Sequence, residues 1–502
     1  MSGGDGGRTQ RDGRDRGDRG GRGGRGDAGG AAERISPARL VAFEVLAAVR
    51  EDEAYANLLL PARIRRARLD RADAAFATEL TYGTLRMQGY YDEVIALAAG
   101  RPTTAVDPAV LDVLRLGVHQ LLATRVPTHA AVYEQVALAR RVAPKAAGFA
   151  NAVLRTVSRS SAETWRDLVA EGAKGEDELL ARLESHPKWI VRALRTALQR
   201  EERADELPDL LAADNASPRV NLAVLPGLGA DTASVAGFEP DAFSPIGAVA
   251  DDPIAVSESS AGRIRVQDEG SQLAALALTR ARPVVPGERW LDLCAGPGGK
   301  TAVLAAEALG AGALVVANEM VPARAELVRK ALAGVPAPVE VHVGDGRGID
   351  AGALGAPGGF DRILLDAPCT GLGALRRRPE ARWRKAPADV AELTKLQGEL
   401  FDAAVRALAP GGILAYVTCS PHTGETHGTL TAALERWRGR VEQLDTHAVV
   451  QALSRHPLDL AGDPETVQLW PHRHGTDAMF IALVQRADAD ADDVAEAADA
   501  DR

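Results

Sequence analysis

The chain has 502 residues, 46% of them hydrophobic, with a net charge of −10, which suggests about three domains with packed cores. No apolar run approaches the about 20 residues that span a bilayer, and the Gly/Arg/Asp-rich start lacks the apolar centre of a secretory signal. Three isolated cysteines without a C-x-x-C pair exclude a disulfide framework and a cysteine zinc site, so a reduced, soluble, cytoplasmic protein without a metal is expected.

Residues 1–33 are low-complexity and cannot bury a core, so a disordered tail is expected. Their Arg-Gly spacing suits weak RNA contact, but five interleaved Asp suit a solvating tail better. Residues 34–160 read as an all-α domain of six or seven helices. In "PAVLDVLRLGVHQLLAT" the residues Val110, Leu111, Leu114, Val118, Leu121 and Leu122 mark one helix face. Pro37, Pro108 and Pro127 mark helix starts. This segment carries sixteen Arg and one Lys, outnumbering its acids. Both an ordinary solvated surface and an RNA-facing one fit that charge.

Residues 161–265 are expected to form a connecting subdomain: helical "ELLARLESHPKWIVRALRTAL", broken at Pro187, then strand-like "SPRVNLAVLPG". From 266 to 486 strands alternate with helices. "RWLDLCAG", "ALVVANE", "VEVHVGDG", "DRILLDAP", "GILAYVTC" and "MFIALVQR" are short apolar runs, which predicts a doubly wound α/β domain with a parallel sheet covered on both faces. Ligands of such sheets bind beyond the carboxyl ends of the strands. Residues 487–502 hold seven acids and one Arg and are expected to be a disordered acidic tail.

"LDLCAGPGGKT" (291–301) is a strand, a Gly-rich turn and a helix start. Gly296, Gly298 and Gly299 allow close backbone approach to a ligand, and the helix start offers free N–H groups. A P-loop fails because its first glycine would fall at Cys294, and a dinucleotide fingerprint fails at Thr301. Acids end the following strands: Glu319, where ribose hydroxyls would bind, Asp345, which could reach an adenine amino group, and Asp366. Carboxylates repel a triphosphate, so the lining suits a nucleoside, with the cationic S-adenosylmethionine as the natural candidate.

Two of the three cysteines, Cys369 in "LLDAPCTGLG" and Cys419 in "AYVTCSPH", sit at strand ends before turn residues. Buried, inert cysteine is the commoner case; it suits Cys294 but not these two. Methylation at C5 of a cytosine requires a thiolate to add to C6. One cysteine could attack and the other assist product release.

Together "DLCAGPGGKT", "DAPCTGLG" and "YVTCS" resemble the RNA 5-methylcytosine methyltransferases of the NOL1/NOP2/Sun type. "ATELTYGTLR", "LRLGVHQLL", "VPTHAAVYEQVALAR" and "GFANAVLR" look like the NusB-like domain of its bacterial Sun/RsmB branch. With "VNLAV", "VQDEGSQLAA" and "HGTDAMFIALV", the likeness runs over about residues 34–486. It implies a helical NusB-like RNA-binding domain before a Rossmann-like class I methyltransferase domain, acting with S-adenosylmethionine on small-subunit (16S) ribosomal RNA. It assigns attack to Cys419, release to Cys369, the target cytosine to Asp366, and the cofactor carboxylate or the base to Lys300. Cys294, Ala295, Gly296, Pro297, Gly298, Gly299, Lys300, Glu319, Arg324, Asp345, Gly346 and Asp366 would line the cofactor site. Glu319 stands where the family usually has Asp. The family's Glu-Asn-Glu run is reduced to Glu425, Thr426 and His427, which weakens any role for that loop. Ala478-Met479 replaces Gly-Phe, a change expected to affect packing.

"LRRRPEARWRK" (375–385), with six basic residues and Trp383, is expected to contact phosphates and stack on bases around an unpaired target. The partner is expected to be naked or early-assembly rRNA, bound by a monomer. Two alternatives are the same chemistry on tRNA and a non-catalytic NusB-like assembly factor.

Overall fold

A computed structural model describes residues 35–488. The low-complexity start and all but the first two residues of the acidic tail lie outside the described residues. The front of the chain folds into seven α-helices: Pro37–Glu51, Ala56–Ala67, Arg71–Arg86, Gln88–Ala99, Pro108–Ala123, Thr128–Val142 and Ala147–Val157. The helix Pro108–Ala123 begins where the Asp107 side chain accepts hydrogen bonds from the N–H groups of Ala109 and Val110, satisfying two donors that a helix start leaves free. Its burial reaches further around than the expected face. Val113 and Leu116 join Val110, Leu114 and Val118 in the core, while Leu111, Leu121 and Leu122 are only half-buried. Other helices enclose it on most sides.

Four helices follow, Ala162–Glu171, Glu176–Leu183, Lys188–Arg200 and Leu207–Asn215. Pro187 sits at the N-cap of the third, because proline's missing N–H costs nothing at a helix start. A four-stranded antiparallel sheet comes next, from Leu222–Val224, Glu239–Pro240, Gly247–Val249 and Ile264–Val266.

The last part is built on an eight-stranded sheet. Its strands are β1 (Arg289–Asp292), β2 (Leu314–Asn318), β3 (Glu340–His342), β4 (Phe360–Asp366), β5 (Leu408–Thr418), β6 (Val441–Gln443), β7 (Thr466–Gln468) and β8 (Phe480–Arg486). The order is β6-β8-β5-β4-β1-β2-β3, with β7 also paired to β8. Strands β1 to β5 are mutually parallel, but β8 runs antiparallel to β5, and β6 and β7 run antiparallel to β8. The sheet is therefore mixed rather than wholly parallel. The chain leaves β5 and returns at the same end, so Phe480 opens β8 opposite Thr418. A strand buried on both faces carries no apolar alternation from which its direction could be read.

One face packs under the helices Glu269–Thr279 and Gly299–Ala311, the other under Pro387–Ala407 and Thr429–Arg436. Strand order reverses at β1, which has β4 on one side and β2 on the other. The carboxyl ends of these strands open the crevice where ligands of such sheets bind.

Candidate active site

At the end of β1 the Gly-rich turn closes on itself. Ala295 N–H donates to the Asn318 carbonyl at 2.9 Å, and Gly298 N–H to Ala295 at 2.7 Å. Glu319 is 4% exposed. Its Oε2 accepts from Gly296 N–H at 2.9 Å and its Oε1 from Val321 N–H at 2.9 Å. Arg324 donates to the Gly296 carbonyl at 2.7 Å. A Cβ at position 296 would lie 2.2 Å from Glu319 Oε2, so only glycine lets this acid reach the turn. Pro297 is exposed at the turn's outer edge, and Gly298 caps the helix Gly299–Ala311.

Asp292, fully buried at the end of β1, accepts from the Thr301 hydroxyl at 2.7 Å and so anchors the helix start. Burial pushes its carboxyl up to about 7, since little solvent remains to stabilise the charge. Burial likewise pushes the Cys294 thiol well up, and Cys294 packs beside the core under β4 and β5. Asp345 follows β3 in an exposed turn, where Arg347 pairs with it at 2.6 Å and holds it below the usual carboxylate range. Gly346 beside it is buried against Leu293 and Leu400.

The two strand-end cysteines meet. Cys369 Sγ and Cys419 Sγ are 3.3 Å apart, although the residues stand 50 positions apart. Pairing of Asp366 in β4 with Val417 in β5 brings the two strand ends side by side. The thiols are asymmetric. The hydrogen bond from Cys369 holds Cys419 below the ordinary thiol value, aided by the charges of Lys300 and Arg378, while the same contact raises Cys369. Cys419 is thus the better thiolate. Lys300 Nζ donates to Asp366 Oδ2 at 2.7 Å. Burial would lower this ammonium, but Asp366 outweighs it and keeps it charged.

Glu425, read from the sequence as part of a weakened loop, holds the thiol loops together. It is completely buried. Oε1 accepts from Thr370 N–H at 2.7 Å and from Gln397 at 3.3 Å; Oε2 accepts from the hydroxyls of Thr370 at 2.5 Å and Ser420 at 2.6 Å. Thr370 and Ser420 are the residues immediately after the two cysteines, so one carboxylate ties both together. The loops also touch through backbone: Gly373 N–H donates to the Cys419 carbonyl at 2.9 Å. A Cβ on Gly373 would lie 2.1 Å from the Ala478 carbonyl. Ala478 and Met479 are both buried there, in line with a packing role. The only sequence signal for this clamp was a lone acid five residues after Ser420.

For Arg376, Arg377, Arg382 and Arg384 of the basic stretch 375–385 the structure corrects the expectation of a phosphate-binding loop. Arg376 and Arg377 pair with Asp268 and Asp477 at 2.7–3.3 Å. Arg382 is fully buried and donates to the carbonyls of Arg86, Ser185 and Asp214 and to Asn215 Oδ1 at 2.7–3.2 Å. Arg384 donates to the carbonyls of Val49, Glu53 and Ala54. The stretch is a strap binding the helical half to the sheet half. A fully buried guanidinium held by three backbone carbonyls and an amide oxygen cannot also meet solvent phosphates. Arg378 remains exposed, and Trp383 is 39% exposed.

Among the described residues no helix is long and apolar enough to cross a membrane. Residues 281–485 match the family described as 16S rRNA methyltransferase RsmB/F, and residues 36–159 match the NusB family. Rv1407 of Mycobacterium tuberculosis, which carries a provisional methyltransferase name, is 47% identical over 462 residues, covering 90% of this chain and 97% of its own. The Ribosomal RNA small subunit methyltransferase B of Pseudomonas putida is 35% identical over 470 residues, 88% of this chain and 97% of its own. That of Erwinia tasmaniensis is 32% identical, over 90% and 99%. The crystal structure of PH0851 shares the fold, with a TM-score of 0.71 at 23% identity, over 90% of this chain and 98% of that one. With a NusB-family helical region at its front and the two thiols at the end of its mixed sheet, this chain belongs to the RsmB/F family of rRNA methyltransferases.

Proposed function

We propose that the chain transfers a methyl group from S-adenosylmethionine to C5 of a cytosine in 16S ribosomal RNA, through a covalent bond between Cys419 and C6. The observation that carries this reading is the contact of two thiols at neighbouring strand ends, beside the Lys300–Asp366 pair. The donor set fits the cofactor. Gly296, Gly298 and Gly299 offer bare backbone at a helix start, Glu319, Asp345 and Asp366 stand at the neighbouring strand ends, and buried Asp292 Oδ1 and Asn318 Oδ1 have no hydrogen-bond partner among the described residues. Such a lining suits a cationic nucleoside rather than a triphosphate. When bound, S-adenosylmethionine supplies an electrophilic methyl group.

The chain's own residues do the rest. Asp366 holds the amino edge of the cytosine, and the Lys300 ammonium donates to Asp366 Oδ2 at 2.7 Å and so orients it. The Cys419 thiolate adds to C6, which moves electron density onto C5. After methylation a base takes the C5 proton, the C5–C6 double bond re-forms as the C6–S bond breaks, and Cys369 assists this release of the Cys419 thiolate. Residues 34–160 bind rRNA, 161–265 connect, and 266–486 carry the chemistry, in a cytoplasmic monomer acting on naked or early-assembly RNA. The names of the relatives favour the small-subunit rRNA over tRNA.

The test is the fate of the adduct. Cys419→Ala abolishes methylation and any protein–RNA species that survives denaturing electrophoresis. Cys369→Ala still attacks but releases slowly, and that species accumulates. An adduct found only in the Cys419→Ala chain would invert the two roles. Absence of any adduct, even with 5-fluorocytosine RNA, would reject covalent catalysis. Bisulfite sequencing of 16S rRNA and tRNA from cells lacking the protein identifies the substrate.

A further inference from the structure

The helix Ala56–Ala67 is sparsely buried, with only Ala56 and Leu60 in the core. Tyr55 immediately before it is 46% exposed, and Leu58 is 72% exposed. Ala62, Arg65 and Arg66 are exposed as well. Positions 55, 58, 62, 65 and 66 follow helical spacing, so they form one stripe running about 16 Å along the helix. Arg63 pairs with Glu44, but Arg65 and Arg66 have no acid partner among the described residues. A stripe of this kind, an aromatic and an aliphatic side chain followed by unpaired guanidinium groups, matches the chemistry of a single strand, whose bases stack and whose phosphates are anionic.

The stripe begins beside Arg378, whose charge acts on the Cys419 thiol. Two guanidiniums lie near the Tyr55 ring, Arg378 5.6 Å and Arg384 5.4 Å from its centroid. Arg378 is exposed and has no acid partner among the described residues, and it lies five residues beyond Gly373, which bonds the Cys419 carbonyl. The strap holds this arrangement rigid: Ala56 N–H donates to Glu380 at 3.2 Å, and Arg384 donates to the Ala54 carbonyl at 2.7 Å. The position of the helix is thereby set relative to the thiols.

We propose that Tyr55, Leu58, Arg65, Arg66 and Arg378 form one surface for the unpaired RNA flanking the target cytosine, so that the helical half completes the RNA site of the catalytic half. This rests on the reading of the chain as an RNA-modifying enzyme. Arg378 holds a phosphate next to the target, Tyr55 and Leu58 pack against neighbouring bases, and Arg65 and Arg66 bind phosphates further along.

Binding is measured by anisotropy with labelled, transcribed 16S rRNA fragments on the full chain carrying Cys419→Ala, so the readout does not depend on methyl transfer. Adding Arg65→Ala and Arg66→Ala should weaken binding about tenfold and reduce the salt slope by about 1.4. Lysine at both positions should restore most of the affinity, which a merely structural role would not predict. Tyr55→Ala should cost about tenfold through lost stacking, with S-adenosylmethionine affinity unchanged. Unchanged affinity and salt slope in the double alanine chain overturn the proposal. So does a loss seen only with assembled small-subunit particles, which would make the stripe a protein contact. If the wild-type chain bears no C5-methylating activity while the stripe still governs RNA affinity, the catalytic reading fails and this surface stands.

Discussion

Replacing Glu425 with alanine should damage the thiol pair without touching a thiol. Four donors lose their acceptor: the Thr370 N–H, the Thr370 and Ser420 hydroxyls, and Gln397. Not all are stranded equally. The two hydroxyls are 3.1 Å apart and can pair with each other, and Gln397 keeps a bond to the Pro368 carbonyl at 2.8 Å. The Thr370 N–H has no such escape. One orphaned buried donor, together with the other lost hydrogen bonds, comes to about 3 kcal/mol. Glutamine should cost only about 1 kcal/mol, because its amide oxygen can serve Thr370 N–H while its NH2 faces hydroxyls that can turn to accept. A chain of several folding units need not unfold in one step, so the local quantity is the one to read. Hydrogen exchange at the Thr370 amide should speed up about a hundredfold in Glu425→Ala and less than tenfold in Glu425→Gln. Methylation should fall in the same order. A Thr370 amide still protected to within about fivefold in the alanine chain, with full activity, would refute the clamp.

Iodoacetamide should alkylate Cys419 with a midpoint below that of an ordinary thiol, because Cys369 donates to its thiolate. Cys369→Ala should move the midpoint up, so alkylation slows near neutral pH and recovers only at alkaline pH; an unmoved or lowered midpoint would contradict the asymmetry. Glu319→Ala removes the acceptor facing the glycine turn, and calorimetry should show S-adenosylmethionine bound about tenfold more weakly or worse; equal affinity would move the cofactor elsewhere. Arg376→Ala breaks buried pairs with Asp268 and Asp477 and should lower stability by about 3 kcal/mol while leaving the salt slope of RNA binding alone. A reduced slope in that variant, with stability intact, would return Arg376 to the RNA surface.

Much of this protein was legible in local pattern. Apolar spacing marked the helices between 37 and 157, and short apolar runs marked six of the eight strands of the main sheet. The glycine turn, the acids after it and the cysteines were readable because each is defined by its place at the end of a strand. The strands β6 and β7, of three residues each, are too short to leave a pattern. The direction of β8 was hidden because burial on both faces erases alternation. Only the tertiary structure decided what the charges do. Six basic residues in eleven read as a surface facing phosphate, yet Arg382 meets the Arg86 carbonyl 296 positions away, and Arg376 meets Asp477 101 positions away. Glu425 looked like the remnant of a motif until the fold brought both cysteine loops to it. Burial of an apolar side chain repeats along a helix or strand and so can be read from neighbours in sequence. The partner of a charge is chosen by where distant segments meet, and no local period records that.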